Sequence, residues 1–152
     1  MRRRARAVAA ARRSLPGMTR PDDPSPPALA TDGAAAAETT APEVTAEQFF
    51  AVDLRVGTVV AAEPFPEARA PAVKLRISFG PALGVRQSSA QLTRRYAPED
   101  LVGRQVVAVV NLPPRRVAGY RSDVLVLGAV PGPGDVALLG VDAPVPDGTR
   151  VG

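Results

Sequence analysis

Seven consecutive residues, Val73-Lys74-Leu75-Arg76-Ile77-Ser78-Phe79, alternate between apolar and polar without a break. A period of two is the signature of a strand with one buried face. It commits Val73, Leu75, Ile77 and Phe79 to a core and leaves Lys74, Arg76 and Ser78 on an open face. A helix cannot satisfy this pattern, because residues two apart on a helix do not share a side.

The flanking sequence supplies further short strands. Val52 to Val60 reads as a strand ended by Pro64, Phe65 and Pro66. Gly80-Pro81 turns the chain, and Val85 to Ser89 reads as an antiparallel partner. With Val85 directed inward, Lys74, Arg76, Arg86 and Ser88 share one exposed face. Gln105 to Val110 and Val124 to Leu127 are continuous apolar runs and read as buried strands. Between them, Asn111 to Tyr120 forms a ten-residue loop carrying Pro113-Pro114-Arg115-Arg116. Pro131-Gly132-Pro133-Gly134 is a turn, and short strands near Val136 to Leu139 and Thr149 to Val151 close the chain. Helical signals are brief. Thr45-Ala46-Glu47-Gln48 is a capping box that opens a short helix through Phe49-Phe50. Gln91 to Arg95 and Pro98 to Leu101 are single helical turns. Short strands punctuated by turns imply an all-β sandwich or small barrel. Aromatics are only 4% of the chain, so its core is aliphatic.

Residues 1–44 behave differently. Met1-Arg2-Arg3-Arg4-Ala5-Arg6, Arg12-Arg13, four prolines between Pro21 and Pro27, and Ala34 to Ala37 carry no periodicity. The segment is expected to be disordered, with Met18 as an alternative start. Its apolar run Val8 to Ala11 is broken by Arg12-Arg13, which argues against a secretory peptide. Residues 45–152 form the folded domain. No stretch is long enough for a transmembrane helix, and a soluble, cytoplasmic protein is expected. The net charge of +4 divides evenly: residues 1–44 hold seven Arg against five acids, and residues 45–152 hold twelve basic against ten acidic residues. Placement of charge therefore matters more than its total.

The chain has neither cysteine nor histidine. Disulfides, Cys/His zinc sites and His-dependent nucleophilic catalysis are excluded for these residues. The acids Glu67, Asp100, Asp123, Asp135 and Asp147 fall mostly at turns, and no pair is spaced for metal binding or general acid–base work. No catalytic residue, metal or cofactor is expected.

Several runs of residues resemble a known family. Asp53-Leu54-Arg55-Val56-Gly57 and Asn111-Leu112-Pro113-Pro114-Arg115-Arg116 with Gly119 are similar to the tRNA-binding domains found at the C-terminus of methionyl-tRNA synthetases. Phe65 to Leu75, Gln87 to Tyr96 and Pro144 to Thr149 resemble the CsaA-type chaperones within that group. The resemblance spans about Phe49 to Gly152. It implies an OB-fold, a five-stranded barrel with short helices and extra terminal strands. It further implies a homodimer, tRNA as a partner, and unfolded or pre-export polypeptides as clients, without membrane insertion. A stand-alone tRNA-binding module acting in trans for a synthetase is the alternative.

The candidate RNA-binding residues are Lys74, Arg76, Arg86, Ser88, Ser89, Arg94, Arg95, Asn111, Arg115 and Arg116. Lys74, Arg76 and Arg86 lie on the face that OB-folds use for oligonucleotides. The two prolines before Arg115-Arg116 stiffen the approach to that pair. Ser88 and Ser89 suit phosphate or sugar contacts, though a buried strand end explains them equally well. Arg94-Arg95 fits a solvated helical turn as readily, and Asn111 is also a common turn former. Phe49, Phe50 and Phe65 are assigned to a core, a dimer interface or a peptide-binding surface. The scarcity of aromatics argues against base-by-base stacking on a single strand and fits a grip on folded RNA.

Overall fold

The computed structural model describes residues 40–152 of the chain. The expectations of disorder and of an alternative start at Met18 fall almost wholly on residues 1–39, outside the described residues. The first helix, α1 (Ala46–Phe50), is nucleated as its sequence requires. Thr45 Oγ1 accepts from Gln48 N at 3.1 Å, and Gln48 Oε1 accepts from Thr45 N at 2.8 Å. This reciprocal pair satisfies two otherwise orphaned donors.

Strand β1 (Leu54–Phe65) is the spine of the sheet. It pairs antiparallel with β2 (Ala72–Ser78) along one side and with β4 (Gln105–Val109) along the first half of the other. β2 pairs with β3 (Val85–Ala90), and β4 pairs with β7 (Leu125–Val126). The order is β3-β2-β1-β4-β7, with β10 (Arg150–Val151) also bonded to β1. Two short helices, α2 (Gly80–Leu83) and α3 (Pro98–Leu101), bridge strands. Two hairpins stand apart from the main sheet: β5 (Arg115–Val117) with β6 (Tyr120–Ser122), and β8 (Gly128–Gly132) with β9 (Asp135–Leu138).

The sheet curls until its edges meet. Asp123 N donates to Gln87 O at 2.8 Å, and Ser88 Oγ donates to Val124 O at 2.9 Å. The chain leading into β7 thus bonds to β3, the opposite edge. The result is an all-β, OB-like fold with an inner and an outer face. Inside lie Val59, Val73, Leu75, Ile77, Phe79, Leu92, Leu101, Val106, Ala108 and Val124, all buried. The alternation of β2 therefore does what its pattern demands. Gly57 belongs to this core because a β-carbon there would lie 2.7 Å from Ile77 Cγ2 and the Phe79 ring.

Three expectations are corrected. β1 does not stop before Pro64 but runs on to Phe65. Past Val59, which still exchanges bonds with Gly103 and Arg104, its only strand partner is β2, and one edge of the strand is left open where a proline is tolerated. A bulge at Val60, between the pairs Val59↔Ile77 and Ala61↔Arg76, shifts the phase and turns Phe65 to the outer face. Leu125 is exposed rather than buried. The expected Asn111–Tyr120 loop contains β5 and leads into β6. Their turn, Ala118-Gly119, has φ of 45° and 82°, the signs of a type I′ hairpin turn.

Candidate nucleic-acid interface

Cross-strand partners share a face, so the register of β2 and β3 decides which cations stand together. Lys74 pairs with Ser89, Arg76 with Gln87 and Ser78 with Val85, all on the outer face. Arg86 pairs with Ile77 and Ser88 with Leu75, on the opposite face. The phase expected for β3 is therefore inverted. Ser88 is 1% exposed, and its hydroxyl is used on Val124 O. Arg86 lies at the strand's start, with Nε donating to Leu83 O at 3.0 Å. Neither belongs to the Lys74–Arg76 surface.

On the outer face, β5–β6 leans over β2 and β3. The Tyr120 ring meets Phe65 edge-on at 5.6 Å, and its hydroxyl donates to Leu75 O at 3.3 Å. Lys74 Nζ sits 4.7 Å from the Phe65 centroid, 5.5 Å from that of Tyr120 and 3.6 Å from Glu67 Oε2. Burial, then the neighbouring Glu63 carboxylate, pushes the Tyr120 phenol above its ordinary value, which keeps it a donor. Ser89 N donates to Ser122 Oγ at 3.3 Å. Phe65 is thus a buried anchor beneath the hairpin, which rules it out as an interface aromatic.

This seat holds Arg115, the hairpin's one sheet-facing cation, beside the Lys74–Arg76 face. Arg76, Arg115 and Arg116 are exposed and lie in no ion pair among the described residues. Arg115 and Arg116 are consecutive in a strand and so point to opposite sides. Arg115 shares the sheet-facing side with Ser122, whereas Arg116 stands directly opposite Arg121 on the outward side. Arg121 was not expected. A two-residue turn after Val117 would have placed it there, but Ala-Gly is a weak sign of one.

The remaining candidates have structural partners. Asn111 Oδ1 accepts from Asp53 N at 2.9 Å and its Nδ2 donates to Ala51 O at 2.8 Å, pinning the α1–β1 connection to the end of β4. Arg94 Nη1 donates to Pro133 O at 3.0 Å. Arg95 forks onto Asp135, with Nη2 at 2.9 Å from Oδ2. Hydrogen bonding from Arg95 holds the Asp135 carboxyl below the ordinary carboxylate range, and the same bond raises the Arg95 guanidinium. This pair braces β8–β9 against the Leu92–Tyr96 turn. Phe49 and Phe50 are about half exposed, edge to face at 5.4 Å, on a helix that buries no residue. Among the described residues no acidic group could hold a metal ion, and no helix is long and apolar enough to cross a membrane.

Comparison with known proteins agrees with this architecture. The chain is 57% identical to the chaperone CsaA of Bacillus anthracis in its crystal structure, with a TM-score of 0.70 over 73% of this chain and all of that one. The CsaA chaperone protein of Picrophilus torridus is 38% identical, with a TM-score of 0.67 over 72% of this chain and all of its own. The methionine–tRNA ligase of Porphyromonas gingivalis is 36% identical over 111 residues, 73% of this chain. The chain spans only 16% of that relative's length. Residues 54–150 match the family described as a putative tRNA binding domain, and the chain belongs to that family.

Proposed function

We propose that this domain binds tRNA, without catalysis, through the outer face of β2–β3 and the hairpin seated on it. Arg76 and Arg115, with Lys74 and Ser89 between them and Arg116 on the hairpin's outer side, form the contact surface. The observation that carries this reading is the seating of a cation-rich hairpin, by Tyr120 and Phe65, beside a strand face that exposes Arg76. Membership of the tRNA-binding family supports it. The chemistry suits phosphate contacts that position a folded RNA, because guanidinium groups match phosphate geometry and phosphate contacts carry no base sequence. Ser88, Arg86, Asn111, Arg94 and Arg95 are left out of the surface for the structural reasons given above.

A second activity, holding unfolded or pre-export polypeptides, is favoured by the exposed Phe49, Phe50, Val52 and Leu112 and by the likeness to solved structures of CsaA chaperones. A five-residue helix with no buried side chain gains little from its own hydrogen bonds. Packing of α1 against a second copy of the chain would supply what it lacks, and a homodimer in the cytoplasm is part of the proposal. So is the division into an N-terminal extension over residues 1–44 and a binding domain over residues 45–152. Titration of a labelled tRNA transcript tests the main reading. Arg76→Ala and Arg115→Ala should each weaken binding and lower the salt slope by about one. If both variants bind as the parent does at every salt concentration, the surface is wrongly placed.

A further inference from the structure

We infer that Arg116 and Arg121 act together as a clamp for a single RNA phosphate, on the outward side of the β5–β6 hairpin. The two residues are direct cross-strand partners in a hairpin closed by a two-residue turn. Their β-carbons are therefore held about 5 Å apart by backbone geometry alone. Tyr120 and Ser122 occupy the sheet-facing side, so alternation turns both arginines away from the barrel.

Like charges directly opposite one another destabilise a hairpin. Here the repulsion is only partly relieved. Asp123, 16% exposed, accepts from Arg121 Nε at 2.5 Å. Arg116 has no carboxylate partner among the described residues and donates only to Gly119 O, at 3.3 Å. From Asn111 to Asp123 the chain holds three arginines and one aspartate. A surplus of positive charge on a rigid two-stranded frame suits an anion that accepts from both guanidinium forks. A phosphodiester does so with its two free oxygens. Asp123 holds the Arg121 fork in position before the RNA arrives. This inference rests on the tRNA-binding reading above and adds to it a residue, Arg121, and a stoichiometry of one phosphate for two side chains.

The test is a double-substitution cycle on the full chain. Kd for a tRNA transcript is measured for the parent, Arg116→Gln, Arg121→Gln and the double variant, each across a salt series. Each single variant should lose roughly tenfold in affinity. The double variant should lose little more than either single one, and the salt slope should fall by about one in all, because one phosphate contact is removed. Arg116→Gln should melt no lower than the parent, since it relieves repulsion and leaves Arg121–Asp123 intact. Arg121→Lys, which keeps the charge and the ion pair but loses the fork, should keep stability and still lose affinity. Losses that multiply in the double variant would mean two separate contacts and overturn the clamp. So would unchanged affinity in both single variants while Arg115→Ala weakens binding, which leaves the wider reading intact. A parent chain that binds no tRNA overturns both.

Discussion

Replacing Tyr120 with alanine should unseat the β5–β6 hairpin. Three contacts disappear together: the edge-on packing on Phe65, the cation–π contact with Lys74 and the hydrogen bond to Leu75 O. An aromatic pair contributes about 1 kcal/mol, a partly exposed cation–π contact about 0.5 kcal/mol and a hydrogen bond about 1 kcal/mol. Their sum is about 2–3 kcal/mol, or roughly 10 °C in Tm for a domain of this size. Tyr120→Phe keeps the first two contacts and should lose only about 1 kcal/mol. Denaturant unfolding measures both variants. Hydrogen exchange at Arg115 and Val117, which sit in the hydrogen-bonded pairs of the hairpin, reports it separately, because the Ser89–Ser122 and Gln87–Asp123 bonds remain at its base. The tRNA affinity of Tyr120→Ala should fall although no cation has been removed, because the cations are no longer held in place. A Tyr120→Ala chain that melts with the parent and protects the same amides would refute the seat.

Other substitutions probe other parts of the argument. Ile77→Asp places an unpaired charge in the fully buried centre of β2 and should abolish cooperative unfolding, which circular dichroism would read directly. Ser88→Ala should cost about 1 kcal/mol by removing the shorter of the two hydroxyl bonds to Val124 O, yet leave tRNA affinity unchanged; weaker RNA binding at equal stability would return Ser88 to the interface. The Arg95–Asp135 pair sets a pH dependence. The Asp135 carboxyl is held low, so the pair stabilises the fold above the ordinary carboxylate range and that contribution is lost as pH falls through the lowered value. Thermal melts of the parent and Asp135→Asn should therefore differ near neutrality and converge in acid. Parallel curves throughout would remove the pair from the account.

How much could be read from the sequence depended on where apolar residues fell. β2 was legible because four large apolar residues mark one face over a full strand. The Thr45–Gln48 capping box and the Pro131–Gly134 turn were legible because their chemistry is local. β3 was misphased because Val85 is its only large apolar residue, and it lies exposed at the strand's end. The inward positions are held by Ser88 and Ala90, and a serine whose hydroxyl finds a carbonyl serves a core without looking apolar. In sequence the β5–β6 hairpin reads as a loop because its strands are polar and its turn puts Ala118, a non-glycine residue, at positive φ. Read as a loop, Arg115-Arg116 is a pair; read as a strand, its members part, and Arg116 joins Arg121 instead. The one-residue bulge at Val60 left no trace in composition, yet it decides that Phe65 supports the hairpin.

The central claim is that the outer face and its hairpin grip RNA through phosphates. The most direct measurement is the affinity of the chain for a tRNA transcript across a salt series. The account predicts a linear fall of log K with log salt, with a slope of about −0.7 to −0.9 for each phosphate contacted, reduced when Arg76, Arg115 and Arg116 are replaced together. Absence of binding at low salt, or a slope indifferent to those three residues, would contradict it.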